Sequence, residues 1–251
     1  MSTNYIIRQL IDRFKDYPSV TREELFDFYS QFEQDLKATT FRWRIYDLKN
    51  KKIIRSIDRK RFSFSYKPRF EPFVENRQKD IFTRVEKQFP HIRCCIWSTK
   101  WVHEFMMHQP GRSINILEVE NDAVEFVFHY LQDSNIRNLY LQPHQKEVEN
   151  YIFENTDSVV VKSLITKAPL VIVTNTQIPS IEKILVDIFT ERVLFNIFQG
   201  NELGYLFNRV YEKYQLNFTT LFHYVKRKGK ESALKDFLLL KTDVPNYILN
   251  D

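Results

Sequence analysis

Two glutamates, Glu118 and Glu120, stand at the end of an apolar run that predicts a buried strand. Residues two apart on a strand point to the same face, so both carboxylates would face the same way. Two acids at this spacing can hold a divalent metal and a triphosphate, as nucleotidyl transfer requires. Ser98 and Thr99 follow an earlier strand, where such an enzyme places a Gly-Ser pair that cradles phosphate. The glycine is absent here, and a salt-bridged or solvent-facing strand end fits equally well, so the pattern indicates a transferase-like scaffold without assigned chemistry.

Two histidines, His103 and His108, bracket Glu104 and suggest a zinc-binding helix at first sight. Their spacing of five residues turns them about 140° apart on a helix, which spoils a shared ligand face. We therefore interpret them as core or surface histidines. The chain also lacks the Gly-x-Gly-x-x-Gly, P-loop and Gly-x-Ser-x-Gly motifs. The sequence predicts neither a metal site nor a cofactor.

A strongly basic segment runs from Lys37 to Phe64 and holds ten lysines and arginines against two aspartates. Its net charge of +8 exceeds the +5 of the whole chain, so the other residues together carry −3. A basic excess confined to one short segment is typical of a surface that binds nucleic acid. The alternative is a solvated basic face on a small helical domain.

The elements predicted around this basic segment begin with two helices. A Thr-x-x-Glu capping box at residues 21–24 predicts the start of one helix. The next helix is expected from about Ala38, because Phe41, Ile45 and Leu48 form an apolar stripe at helical spacing. An earlier apolar pattern near the N-terminus predicts a further helix that completes a three-helix head.

A basic hairpin is predicted after these helices, with strands at residues 53–57 and 61–64 and a turn at 58–60. Helices followed by a hairpin have the order of a winged helix-turn-helix, whose second helix enters the major groove of DNA. We predict groove contacts from Thr39, Thr40, Arg42 and Tyr46, and phosphate contacts from Arg44, Arg55, Arg59, Lys60 and Arg61. Trp43 is assigned to the same surface, with packing on another helix or on a dimer mate as the alternative.

The rest of the chain alternates predicted helices and strands and ends in helices only. Among the predicted helices are one from Ser98 or Thr99 to about Met107 and one that Pro143 opens and that runs to Phe153. We therefore predict an α+β or α/β protein with three parts: a winged helix-turn-helix at residues 1–66, an extended proline-containing connector at 67–74 and a small mixed α/β domain with a helical C-terminal bundle at 75–251.

Two charged patterns in this second part have ordinary explanations. Lys183 and Asp187 are four residues apart and can pair on one helix face, with Glu182 about a quarter-turn away, so we interpret all three as helix surface. The basic cluster at residues 226–230 is interpreted as a complement to the dipole at a helix end.

The predicted location is the cytoplasm. The N-terminus lacks the apolar core of a signal peptide, and no apolar run approaches the length of a membrane span. Cys94 and Cys95 are adjacent in an apolar stretch, which excludes a disulfide framework and predicts buried thiols in a reducing compartment.

Three stretches of the chain resemble the AbiEi-type antitoxins of bacterial abortive-infection, or type IV toxin–antitoxin, systems. They are Thr-Arg-Glu-Glu-Leu at residues 21–25, the FRWRIYDLK helix at 41–49 with its basic wing, and PSIEKILVDIF at 179–189. Glu182, Lys183 and Asp187 match the family pattern in the last stretch. Lys51-Lys52 and Arg59-Lys60 stand where the family has Lys-Gly and Arg-Gly, so the wing lacks both glycines.

The resemblance implies that the head binds inverted repeats in the protein's own promoter and represses the operon. It also implies a nucleotidyltransferase-like second domain that serves antitoxicity, and a cognate nucleotidyltransferase toxin encoded alongside. The prediction is thus a cytoplasmic DNA-binding antitoxin and autorepressor without cofactors. Two alternatives stay open: a nucleotidyltransferase-like enzyme whose basic head docks a nucleic acid, and a ligand-sensing transcription regulator without a toxin.

Overall fold

The computed structural model describes residues 3–64, 67–152 and 154–249 and confirms a mixed α+β fold. The helices are α1 (Thr3–Phe14), α2 (Arg22–Ser30), α3 (Ala38–Asn50), α4 (Asn76–Gln88), α5 (Lys100–His103), α6 (Val124–Asp133), α7 (Gln145–Glu147), α8 (Ile181–Thr190), α9 (Asn201–Lys213), α10 (Phe218–Arg227) and α11 (Glu231–Lys241). The strands are β1 (Val20–Thr21), β2 (Arg55–Ser56), β3 (Arg61–Ser63), β4 (Cys94–Ser98), β5 (Ile114–Val119), β6 (Leu139–Leu141), β7 (Ser158–Ser163), β8 (Leu170–Val173) and β9 (Thr176–Pro179).

The N-terminal part, called the head here, comprises residues 3–64: helices α1 to α3 and a small antiparallel sheet in the order β1-β3-β2. Its buried apolar side chains form a cluster of their own, drawn from residues 10–62. Phe41, Ile45 and Leu48 lie in that cluster, as their spacing predicted. The head therefore has a separate core, in which α3 buries one face and leaves the other exposed.

Local signals explain where the head's helices begin and end. The predicted capping box is confirmed, because the Thr21 hydroxyl accepts from the Glu24 backbone N–H while the Glu24 carboxylate accepts from the Thr21 N–H. Helix α3 ends at Asn50, and Lys52, two residues later, adopts a left-handed backbone with φ of 57°. The hairpin strands are shorter than predicted, at two and three residues.

The remaining residues, 67–152 and 154–249, form the part called the body here, which is built on a four-stranded sheet in the order β4-β5-β7-β6. Strands β5, β6 and β7 are parallel, and β4 joins the edge antiparallel. Alternate residues of these strands face two different apolar clusters: Cys94 faces the side of α4 and α6, and Cys95 the side of α8. The expected burial of both thiols is confirmed.

The body differs from the predicted pattern at three places. The helix expected from Ser98 to about Met107 contains only the four residues of α5. The helix expected after Pro143 consists of the short α7 and one turn of π-helix, Val148–Ile152. Strand β9 was not predicted, because a β-branched pattern broken by Pro179 reads as a loop before a helix.

Residues 67–74, called the connector here, contain no helix or strand and pack on the body. Phe70 and Val74 are buried in the body's larger apolar cluster, and the Pro68 carbonyl accepts from the Gln215 backbone N–H at 2.9 Å. Residues 65 and 66, at the expected boundary, lie outside the described residues. Within residues 3–64, 67–152 and 154–249, no helix combines the length and apolar character needed to cross a membrane.

Helix α9 approaches the end of α11 so closely that only glycine fits at position 204. A Cβ added at Gly204 would lie 2.6 Å from the Lys241 carbonyl oxygen, a backbone atom that cannot rotate away. Gly204→Ala should therefore lower the free energy of unfolding by about 1–3 kcal/mol, as overpacking does. Urea unfolding measures this, with Gly111→Ala as the control, because nothing lies within 4 Å of a Cβ there. Equal stability of the two variants would contradict the close approach.

Candidate nucleic-acid interface and buried charge network

The outward face of α3 carries a cation and two aromatic rings. Arg42 is exposed and has no hydrogen-bond or ion-pair partner among the described residues. Trp43 is 69% exposed and Tyr46 57% exposed, and their rings meet edge to face with centroids 5.7 Å apart. Thr39 is exposed on the first turn of the helix, and Thr40 is half-buried. Large aromatic side chains left exposed together indicate a surface that binds something.

Arg44 does not belong to this exposed face. Its guanidinium pairs with the Glu33 carboxylate and lies 4.8 Å from the centroid of the Tyr29 ring. Both partners are in the head, so Arg44 joins α3 to α2 and to the loop between them. The phosphate contact of Arg44 stays a prediction, and spacing on the helix alone did not reveal the acid 11 residues earlier that engages its guanidinium.

The turn of the basic hairpin is organised by Asp58. One Asp58 oxygen accepts from the backbone N–H groups of Lys60 and Arg61, both at 2.8 Å, and the other accepts from the Arg61 guanidinium at 2.9 Å. The Arg61 side chain is mostly covered, with 13% of its surface exposed. Arg61 therefore stabilises the turn, and its phosphate contact stays a prediction. Lys60 is exposed beside it.

The hairpin turn docks on the body. Ile57 is buried in the body's larger apolar cluster, and its carbonyl accepts from the Phe218 backbone N–H at 3.2 Å. An Arg59 guanidinium nitrogen lies 3.1 Å from His223 Nε2 on α10. The hairpin turn is thus held against α10, while Arg59 itself remains exposed and its phosphate contact stays a prediction. Arg55, on the edge strand β2, is half-buried at the base of the hairpin.

A network of buried charges lies between the body's sheet and α8. Lys183 is fully buried, and its Nζ donates to Glu118 Oε1 at 2.6 Å and to Asp187 Oδ2 at 2.5 Å. The Trp97 indole N–H also donates to Glu118 Oε1, at 3.0 Å. The predicted pairing of Lys183 with Asp187 is confirmed, but their interpretation as helix surface was wrong. Glu182 is buried as well, and accepts from the Asn217 backbone N–H.

The network continues from Asp187 toward the surface. The Tyr224 hydroxyl and the Lys228 ammonium both donate to Asp187 Oδ1, at 2.9 and 2.6 Å. Lys228 also donates to Glu191, which in turn accepts from Lys162 of β7. Three lysines thus meet three carboxylates, so the buried charges balance. Lys228 belongs to the basic cluster at residues 226–230, whose interpretation as a helix-dipole complement does not hold for this member.

Mutual pairing keeps Lys183 and Asp187 ionised. Burial lowers the pKa of Lys183, but the charges of Asp187 and Glu118 outweigh burial and raise it well above its ordinary value. Burial raises the pKa of Asp187, and Lys183, Lys228 and Lys162 together bring it well below its ordinary value. Burial, and then the charge of Asp187, raise the pKa of the Tyr224 hydroxyl, so this group stays a hydrogen-bond donor.

The structure does not bring Glu118 and Glu120 together as a pair of catalytic acids. Glu118 is 1% exposed and is already neutralised by Lys183, whereas Glu120 follows the end of β5 and is exposed. Ser98 is buried, and its hydroxyl accepts from the Lys100 N–H at 3.3 Å. A site for a metal and a triphosphate is therefore not formed at this strand end.

The two histidines, His103 and His108, occupy different environments. His103 is buried, which lowers its pKa to about 4, while His108 is exposed and its Nδ1 lies 2.7 Å from a Glu202 oxygen. Within the described part of the chain, no group of three or more His, Cys, Asp or Glu side chains is arranged to hold a metal ion.

The sequence contained a pattern that indicates burial of part of this network. Apart from Glu182, Lys183 and Asp187, residues 181–189 are all apolar, and a helix that is apolar all round is buried. Glu118 shares its strand face with Ile114 and Ile116, which are buried, so its side chain had to enter the same layer. Lys162, Tyr224 and Lys228 carried no such signal, because they belong to β7 and to α10 and its C-cap, which are distant from α8 in sequence.

Comparison with known proteins gives one family. A protein-family model described as a family of unknown function (DUF6577) matches residues 40–243, from the first turn of α3 to just beyond α11. No curated protein and no solved structure gives a significant match.

Removing the Lys183 ammonium should leave Glu118 and Asp187 partly uncompensated in the interior. Lys183→Met should lower the free energy of unfolding by about 3–5 kcal/mol, the range for breaking a buried pair. Urea unfolding at pH 7 measures the loss, and exposed Lys146→Met is the control. The double variant Lys183→Met with Glu118→Gln should recover part of the loss, because one buried charge is removed with its partner.

The pH dependence provides the second readout. The pKa of Asp187 in the folded protein lies below its ordinary value of 3.8. Its contribution to stability is therefore complete above 3.8 and is lost as the pH falls from there through the lower, folded-state pKa. Lys183→Met should flatten this acid dependence. A loss in Lys183→Met no larger than that in Lys146→Met would contradict the network.

Proposed function

The chain belongs to the DUF6577 family, whose description assigns no activity, and we propose that it is a DNA-binding transcription regulator with an N-terminal winged helix. The single observation that carries this proposal is the outward face of α3, which presents Arg42, Trp43 and Tyr46 to solvent. An α-helix fits the major groove of B-form DNA, where arginine donates two hydrogen bonds to guanine and apolar groups contact the thymine methyl.

The order of elements in the head supports the same proposal. Three helices followed by a hairpin, with β1 pairing to β3, match the arrangement in which the last helix lies in the groove. The N-terminus of α3 is preceded by Lys37 and has no acidic residue in its first turn and no side-chain cap. Such a helix end suits a phosphate group, because its backbone N–H groups and the helix dipole both favour an anion.

The docked hairpin changes which residues contact DNA in this proposal. Arg44 and Arg61 serve the head's own structure, and Arg59 lies against His223. The proposed base-contacting set is Thr39, Arg42, Trp43 and Tyr46, with Thr40 at its edge and Lys37 on the phosphates. Recognition thus rests on α3 rather than on the hairpin tip.

The proposed biological role is that of an antitoxin and autorepressor. Its support is the resemblance of residues 21–25, 41–49 and 179–189 to AbiEi-type antitoxins. In this proposal the head represses the promoter, and the body, as a nucleotidyltransferase-like domain without catalysis, counters a nucleotidyltransferase toxin. The enzyme alternative is not proposed, because Glu118 is buried in an ion pair whereas Glu120 is exposed.

Arg42→Ala should weaken binding to duplex DNA from the protein's own promoter by about 5- to 150-fold, the range for losing an arginine contact to a base. Gel-shift titrations at two salt concentrations measure the affinity and its salt dependence. Arg84→Ala is the matched control, since Arg84 is an exposed arginine on α4, away from the head. Unchanged affinity in Arg42→Ala, or an equal loss in Arg84→Ala, would refute the assignment of α3.

Co-expression tests the antitoxin role. The gene adjacent to that of this protein should arrest growth when expressed alone, and the wild-type protein should restore growth. Arg42→Ala should also restore growth when both genes are driven by an unrelated promoter, because the body and not α3 is proposed to counter the toxin. An adjacent gene without toxicity, or toxicity that this protein leaves unchanged, counts against the role while leaving the DNA-binding result intact.

A further inference from the structure

A cleft lies between the head and the body, beside the base of the hairpin. Its volume is about 780 Å³, and the end of α3, strand β2, the connector and the loop before α10 all contribute to its walls. Its charged lining consists of five cations and one carboxylate: Lys49, Lys52, Arg55, Lys67, Arg69 and Glu71.

Two of the cleft's five cations, Arg55 and Lys67, are half-buried, and the other three are exposed. Lys67 is half-buried, donates to the Tyr211 carbonyl oxygen and lies 4.1 Å from the centroid of the Tyr211 ring. Burial and the nearby charge of Arg55 lower the pKa of Lys67 to about 8. Burial and the charge of Arg22 likewise lower the pKa of Lys49. An anion in the cleft would oppose the effect of Arg55 and favour the charged form of Lys67.

We propose that this cleft binds a small molecule carrying two or more phosphate groups. Its volume is within the range of small-molecule sites, and its charges come from both walls. Asn50, Ser56, Ser63, Gln215 and Asn217 supply further polar groups on the same walls. Duplex DNA is not the proposed ligand of this cleft, because a duplex binds along an open surface such as the outward face of α3.

Binding in the cleft would connect the two parts of the chain. Lys52 belongs to the turn that follows α3, and Arg69 belongs to the connector. A ligand that contacts both stabilises the arrangement in which the head is held on the body. The proposal does not rest on DNA binding, since the ligand site shares no residue with the proposed base-contacting set.

The test uses the full-length protein and sodium tripolyphosphate, with salt added to equalise ionic strength. Tripolyphosphate at ten times its dissociation constant should raise the Tm of the wild type by about 3–6 °C. Isothermal titration should give one bound molecule per chain. Lys52→Glu and Arg69→Glu, which change exposed side chains on opposite walls, should each lose at least tenfold in affinity.

Two matched variants separate the cleft from general attraction to a basic protein. Lys146→Glu makes the same charge change at an exposed site outside the cleft, and Arg42→Ala removes a cation from the face of α3. Both should bind tripolyphosphate as the wild type does. The proposal is overturned if the wild type shows no Tm shift, or if Lys146→Glu loses as much affinity as the two cleft variants. It is also overturned if the cleft variants weaken duplex DNA binding instead, because the cleft then serves the DNA backbone.

Discussion

A lysine ammonium cannot remain charged in a protein interior unless opposite charge reaches it, and Lys183 meets this condition through Glu118 and Asp187. That requirement determines how the body is assembled. It brings the face of β5 against α8, and it places Tyr224 and Lys228 at the same carboxylate from the side of α10. Apolar packing alone allows many arrangements of helices over a sheet. Only a few of these arrangements let three lysines and three carboxylates all pair with one another.

Local sequence signals predicted the head more fully than the body. The capping box, the apolar stripe of α3 and the basic hairpin all depend on residues close in sequence, and each is present in the structure. The pairing of Lys183 with Asp187 was predictable for the same reason. The partners of Arg44, Arg59 and Lys228 were not, because Glu33, His223 and Asp187 come from other elements and no period in the sequence relates them. Charge count identified the basic segment but did not tell which cations were already paired.

Pairing sorts the basic segment into residues that build the head and residues that remain at its surface. Arg44 and Arg61 hold α3 and the hairpin turn in place through Glu33 and Asp58. Arg42 points outward from the same helix without a partner among the described residues. Within these 28 residues, some cations thus stabilise the head and others remain exposed on its surface. The exposed cations depend on the paired ones for the orientation of α3 and the hairpin. This division explains how a short segment presents a defined surface instead of a diffuse basic tail.

Helix α10 carries adjacent residues that face in two directions. His223 lies against the hairpin through Arg59, while Tyr224 donates its hydroxyl to Asp187 in the body's interior. The head of one relative therefore cannot simply be exchanged for the head of another. A chimera that grafts the head of one relative onto the body of another has to bring a compatible α10 with it, so during divergence the two halves are constrained to change together even though their apolar cores are separate.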